Sequence, residues 1–207
     1  MKLYYSPNLN PRVAVAVARY LEAPVDYVFG YKMSPEEKEA FPKLNPNGRY
    51  PVLVEEGRVP LWETDAIVCR LSAVTGSDLW RQGEEQPEMI RWISWGTHHL
   101  TRAADPVYFS RLIMPLFTED RLPEAEVEQG LADWREHLPV LDAHLSDREW
   151  LLGDRISYAD FRVATALPFA EKAGLPIDDA PNVRRWNEAL MRIDAWRDPF
   201  AGLEPAE

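Results

Sequence analysis

Glu63-Thr64 sits where a run of strand type gives way to a run of helical type. The amino end of a helix has N–H groups without intrahelical partners and a partial positive charge, so a hydroxyl residue there suits a carboxylate. Plain helix capping is the alternative use of the same pair. A second polar cluster follows the first strand candidate and reads Tyr5-Ser6-Pro7-Asn8-Leu9-Asn10-Pro11-Arg12. It offers hydroxyls at Tyr5 and Ser6 and amides at Asn8 and Asn10. An asparagine amide donates to an anion but accepts no proton as a base, so it stabilises a thiolate without acting as nucleophile. For Asn10 the bland alternative is again a helix cap. Tyr50-Pro51 precedes another strand candidate. An ordinary X-Pro bond is cis in only about 5–6% of folded cases, so the sequence alone favours trans.

The chain has one cysteine, Cys69. That excludes an intramolecular disulfide, a CxxC redox pair and a thiolate zinc site. Thiol chemistry must therefore use a ligand's thiol or Cys69 alone. Cys69 lies mid-helix among Ile67, Val68 and Leu71, which reads as a buried structural thiol. His98-His99 are neighbours on a helix and point roughly 100° apart, so no metal site is expected from them.

The 207 residues, 46% apolar and 28% charged, suit an ordinary globular protein of one large domain or two small ones. No stretch approaches the roughly 20 uncharged residues of a membrane-spanning helix. The opening Met1–Tyr5 enters a strand pattern at once and lacks the apolar run of a signal peptide, so the expected compartment is the cytoplasm. The net charge of −11 is uneven: residues 1–76 hold nine Lys/Arg and nine Asp/Glu, and residues 77–207 hold 14 against 25. Neither part supplies the basic footprint of a nucleic-acid binder.

The elements that must position these groups alternate over residues 1–76. Lys2–Tyr5 reads as a strand, Asn10-Pro11 as a cap and first helical residue before an apolar helix over Val13–Leu21, and Val25–Phe29 as a second strand. Ser34-Pro35-Glu36-Glu37 has the capping-box spacing. The turn cluster Asn45-Pro46-Asn47-Gly48 leads to strands Val52–Glu55 and Val59–Trp62, then to a helix Thr64–Thr75 stopped by Gly76. The order β-α-β-α-β-β-α implies a mixed four-stranded sheet. Residues 77–86 form a polar linker. Residues 87–207 are all-helical, with helices over Pro87–Arg111, Glu124–Leu145, Ser157 to about Ala173, and Pro181–Ile193. Ser157 and Asp160 form a further capping pair.

These features together resemble the cytosolic glutathione transferase family over nearly the whole chain. Asn45-Pro46-Asn47-Gly48-Arg49-Tyr50-Pro51-Val52-Leu53 and Leu61-Trp62-Glu63-Thr64-Asp65-Ala66-Ile67 are similar to the family's "NP.G.VP.L" and "L.ES.AI" segments. Gly153-Asp154 through Ser157-Tyr158-Ala159-Asp160 is similar to its capping-box helix. The resemblance implies a thioredoxin-like domain followed by a helical bundle. It also implies a cis Tyr50-Pro51 bond whose backbone pairs, strand-fashion, with the cysteinyl part of glutathione. Thr64, where the family usually has serine, would hold the γ-glutamyl carboxylate. Glu63 or Asp65 would balance its ammonium, and Lys43 and Arg49 are candidates for the glycyl carboxylate.

The thiol-contacting residue stays open among Asn10, Tyr5, Ser6 and Asn8. Asn10 falls where beta-class members have cysteine, and nu-class members have asparagine near that point; the class stays open between beta/nu-like and theta-like. Arg102, near the family's second-domain basic pair, is a further candidate for the carboxylates. Trp95, Tyr108 and Phe109 either line the electrophile pocket or belong to the core. The implied activity is glutathione transfer to small apolar electrophiles in detoxification, by a homodimer without metal, nucleic-acid or membrane partners. Glutathione-dependent reduction of a disulfide or peroxide is one alternative, and a non-catalytic interaction module is another.

Overall fold

The computed structural model describes residues 1–203, which divide into two compact units: Met1–Trp80 with residues 193–203, and Arg81–Arg192.

The first unit is built on a four-stranded sheet of order β2-β1-β3-β4, with β1 Lys2–Tyr5, β2 Asp26–Phe29, β3 Val52–Val54 and β4 Leu61–Trp62. β1 runs parallel to β2, with Leu3 opposite Tyr27. It runs antiparallel to β3, with Leu3 opposite Leu53, and β3 is antiparallel to β4. The expected mixed sheet is present, with β4 two residues shorter at its start. Side chains alternate across the pleat. Leu3 and Tyr5 face the core with Ala14, Val15, Ile67 and Leu71. Tyr4 faces the other side with Met33, Phe41 and Val52.

Helix α1 spans Leu9–Tyr20, and its stretch Val13–Ala18 is wholly buried. Its cap residue is Asn8, with extended backbone (φ −79°, ψ 167°), rather than Asn10, which lies inside the first turn. Proline is tolerated anywhere in the first turn, because none of those N–H groups has an intrahelical acceptor. Pro11 therefore did not mark the first helical residue. Helix α2, Pro35–Ala40, starts in the expected capping box: Glu37 N–H donates to Ser34 Oγ (3.2 Å), and Ser34 N–H donates to Glu37 Oε2 (2.8 Å). Helix α3, Thr64–Thr75, ends on Gly76 at φ +67°, a left-handed conformation that glycine takes without steric cost. Arg70 of α3 grips Glu55 with two hydrogen bonds of 2.6 and 3.0 Å.

The C-terminal segment belongs to this unit, which corrects the expectation of a helical domain reaching residue 207. The expected linker is divided too, with residues 77–80 in the first unit and 81–86 in the second. Arg12 places its guanidinium 4.5 Å from the centroid of the buried Trp196 ring and donates to the Trp196 carbonyl. Arg19 donates to the carbonyls of Pro199 (2.9 Å) and Ala201 (2.6 Å). Phe200 stacks on Tyr5 at 5.6 Å and 15°. Positions 204–207 of that expectation lie outside the described residues.

The second unit is helical. α4 Gln86–Trp95, a wide turn Gly96–Thr101, α5 Arg102–Tyr108 and a second wide turn Phe109–Ile113 form one continuous run. Pro106 has no N–H to give to the preceding turn, and wide turns are a usual way for a helix to absorb such a break. α6 spans Glu124–His144 and meets α5 closely at Gly130, where an added Cβ would stand 2.7 Å from the Ala103 carbonyl oxygen. α7 spans only Tyr158–Val163 instead of reaching Ala173. Pro168 breaks the helical run, and a short α8, Ala170–Ala173, resumes after it. α9 is Pro181–Met191, and α10, Asp194–Arg197, returns to the first unit. No helix among the described residues is long and apolar enough to cross a membrane.

Candidate functional site

The turn before β3 is built by Asn45, which is buried. Its Oδ1 accepts from the Asn47 N–H (3.0 Å), and its amide donates to the Arg49 carbonyl (2.7 Å). Asparagine is suited to this double role, closing the turn with one atom and tying its exit with another. Lys43 and Arg49 flank the turn, both exposed. The Tyr50–Pro51 bond that follows is cis. The Tyr50 ring packs on Phe41 (4.7 Å), and its hydroxyl donates to Met33 Sδ (3.6 Å). A Cβ at Gly30 would stand 2.1 Å from this ring, so only glycine leaves it room. Burial and the neighbouring Tyr31 push the Tyr50 hydroxyl's pKa up.

Glu63 joins β4 to α3 with φ +71° and ψ +126°, one of two non-glycine residues at positive φ among those described. Side-chain-bearing residues avoid this region at a cost of about 1–3 kcal/mol, and such strain clusters at binding sites. Glu63 is exposed, whereas Thr64 behind it is 3% exposed. The Thr64 hydroxyl donates to the Asn10 carbonyl at 3.1 Å. The amino ends of α1 and α3 are thereby fastened to one another.

The loop between β1 and α1 separates its candidates. Tyr5 is 3% exposed, its ring held by Tyr27 (6.4 Å), Phe29 (5.4 Å) and Phe200, so it serves the core. Ser6 is buried as well, and its Oγ accepts from the Asn8 amide at 3.4 Å. Asn8 and Asn10 are exposed. The Asn8 amide also donates to the hydroxyl of Tyr31 (3.4 Å), a residue outside the candidates named from the sequence. Its signal was available: an aromatic directly after Gly30, at the carboxyl end of a strand parallel to β1, is where α/β sheets present ligand-contacting groups.

The N-terminal domain of glutathione S-transferase matches as a family model over residues 1–69, and the C-terminal domain of glutathione S-transferase over residues 124–189. The chain belongs to the glutathione S-transferase family. It is 30% identical over 201 residues to a probable glutathione S-transferase, GSTF2, of Oryza sativa subsp. japonica, covering 92% of this chain and 91% of that one. It is 28% identical to FtsZ-localized protein A of Caulobacter vibrioides, covering 90% and 84%. A solved glutathione S-transferase III in apo form superposes with a TM-score of 0.81 at 26% identity, covering 100% and 99%.

The remaining candidates lie in the helical unit. Arg102 is the exposed first residue of α5. Tyr108 is buried against Phe169 (5.0 Å) and belongs to the core, while Phe109 is exposed. Trp95 is half-buried against Trp92 (5.2 Å) and lines a groove of about 690 Å³ with Pro87, Ile90, Arg91, Ser94 and His98. His99 meets His137 across the unit at 4.9 Å between ring centroids. No cluster of three or more metal-ligating side chains occurs among the described residues. Cys69 is half-buried in α3, and burial pushes its thiol pKa up.

Proposed function

We propose that this chain binds glutathione on its first unit and raises the reactivity of the glutathione thiol toward small apolar electrophiles. The observation that carries the reading is the Thr64–Asn10 hydrogen bond, which sets two helix amino ends side by side. One of them, at α3, suits the γ-glutamyl carboxylate, through its N–H groups more than through the Thr64 hydroxyl, whose proton is already directed at Asn10. Glu63 stands exposed beside it to meet the ammonium. The other, at α1, lowers a thiol's pKa by its dipole. The backbone at Tyr50 lies two residues before β3, at the end of the same sheet, for strand-like pairing with the cysteinyl part, and Lys43 and Arg49 are proposed carboxylate partners. The relatives named glutathione S-transferases support transfer as the reaction. The family resemblance supports a homodimer, and a single cysteine fits a reducing cytoplasm.

With asparagine rather than serine or cysteine at position 10, glutathione-dependent reduction of a disulfide or peroxide is the nearest related activity. A second reading, a non-catalytic interaction module, draws on the likeness to FtsZ-localized protein A. One experiment separates the two: retention on immobilised glutathione, followed by turnover of a small aromatic halide with free glutathione. Retention and turnover support the enzyme. A chain that neither binds glutathione nor turns over any electrophile is an interaction module.

A further inference from the structure

The site as drawn leaves the sulfur without a hydroxyl donor, because both hydroxyls of the first loop point inward. Tyr5 is locked in the core and Ser6 is 1% exposed. A third hydroxyl reaches the same place from another strand. Tyr31 follows β2 at its carboxyl end and is 48% exposed. Its oxygen accepts the Asn8 amide at 3.4 Å, which ties it to the cap of α1. Its ring stands edge-on to Phe29 (5.3 Å) on one side and to Tyr50 (6.4 Å) on the other. Tyr31 therefore touches both the cap of α1 and the ring of Tyr50, the residue whose backbone is proposed to pair with the cysteinyl part.

The direction of the Asn8 bond decides the chemistry. Because the Tyr31 oxygen is the acceptor, its own proton remains for a further acceptor, and no acceptor for it occurs among the described residues. A hydroxyl whose oxygen receives a hydrogen bond becomes a better donor through its own proton.

We propose that Tyr31 is the catalytic hydroxyl of this chain, donating to the sulfur of bound glutathione while Asn8 positions it. This rests on the glutathione-binding reading above and deepens it. The thiol gives its proton to solvent, the Tyr31 proton stays on its oxygen, and the resulting anion is stabilised by that hydrogen bond and the α1 amino end. Asn10 then serves through its backbone, fastened to Thr64, rather than through its amide.

The test uses the full chain saturated with glutathione and follows the ultraviolet thiolate absorbance against pH. Tyr31→Phe keeps the ring and removes the hydroxyl. Retention on immobilised glutathione is expected to persist, with the thiolate fraction below the titration midpoint falling roughly tenfold, as expected for losing one hydrogen bond to a charged acceptor. Asn8→Ala is expected to move the midpoint the same way by less, and the double variant to match Tyr31→Phe, since both changes act through one hydroxyl. A Tyr31→Phe titration that overlays the wild type, with glutathione still bound, overturns this role and leaves the binding reading intact. A wild-type chain that takes up no glutathione overturns both.

Discussion

The Trp186 indole N–H donates to Asp160 Oδ1 at 3.0 Å, and both side chains are wholly buried. Asp160 also accepts from the N–H of Leu151 (2.8 Å), the N–H of Ser157 (2.8 Å) and the Ser157 hydroxyl (3.0 Å). One carboxyl thus ties the loop before α7, the first turn of α7 and the middle of α9. A carboxylate out of water is costly unless its lone pairs are met, and here four donors meet them.

Removing that carboxyl leaves buried donors stranded. Asp160→Ala is expected to lower stability by about 3 kcal/mol or more, read as a shifted midpoint in urea unfolding. Burial pushes the Asp160 carboxyl above its ordinary pKa, against the pull of its donors. A raised carboxyl contributes stability that is fullest below the ordinary carboxylate range and declines as pH rises through the raised value. Asp160→Asn does not titrate, so the gap between wild type and Asp160→Asn should narrow as pH rises through that window. A constant gap would show that Asp160 keeps its ordinary pKa.

Trp196 is predicted to hold the C-terminal segment on the first unit. Its ring is 0% exposed, lies under Arg12, and precedes the Phe200 that stacks on Tyr5. Trp196→Ala removes a large buried side chain, which typically costs about 3–5 kcal/mol. Melting followed by near-ultraviolet circular dichroism should show the loss, and a change within about 0.5 kcal/mol, the range of ordinary surface substitutions, would place the segment outside the cooperative unit.

That segment also shows what sequence reading can and cannot reach. The Ser34–Glu37 box, the Gly76 stop and the β-α-β-α-β-β-α order were legible because each rests on residues a few positions apart. The grip of Arg12 and Arg19 on residues 196–201 was not, because its partners are separated by 180 to 184 positions and no local pattern marks them. Tyr5 lay between these cases. Period-two alternation already puts it on the face of Leu3, so its burial was readable, yet a tyrosine near a ligand loop drew a functional reading. Glu63 was chosen for its charge, whereas its left-handed backbone needs coordinates to be seen.

Cys69 is predicted to be chemically quiet. It sits within α3, away from any helix amino end, and burial alone raises its thiol pKa. Thiol–disulfide exchange with an aromatic disulfide reagent, which leaves a mixed disulfide on Cys69 and releases the aromatic thiolate, should be many times slower at neutral pH than in the urea-unfolded chain. Cys69→Ala should keep full retention on immobilised glutathione. Rapid labelling of the folded chain, or lost retention, would make Cys69 part of the thiol chemistry.

The last prediction separates the two jobs of the α3 amino end. Thr64 is buried and gives its proton to the Asn10 carbonyl, so its hydroxyl spans two helices before any ligand arrives. Thr64→Ser keeps that bond and loses only a methyl group, and should bind glutathione within a few-fold of wild type. Thr64→Ala strands the Asn10 carbonyl at a cost of about 1–3 kcal/mol and lets the α1 end drift from α3. Both affinity and the bound thiolate fraction should then fall together. Glu63→Gln preserves the backbone and removes only the charge that faces the ammonium. It should weaken binding by no more than about fivefold at low salt while leaving the thiolate titration in place, since an exposed ion pair contributes up to about 1 kcal/mol and is screened. Isothermal titration with glutathione reads the affinities, and absorbance against pH reads the thiolate. If Glu63→Gln moved the titration while Thr64→Ala did not, the carboxylate and thiol ends of the ligand would be assigned the wrong way round.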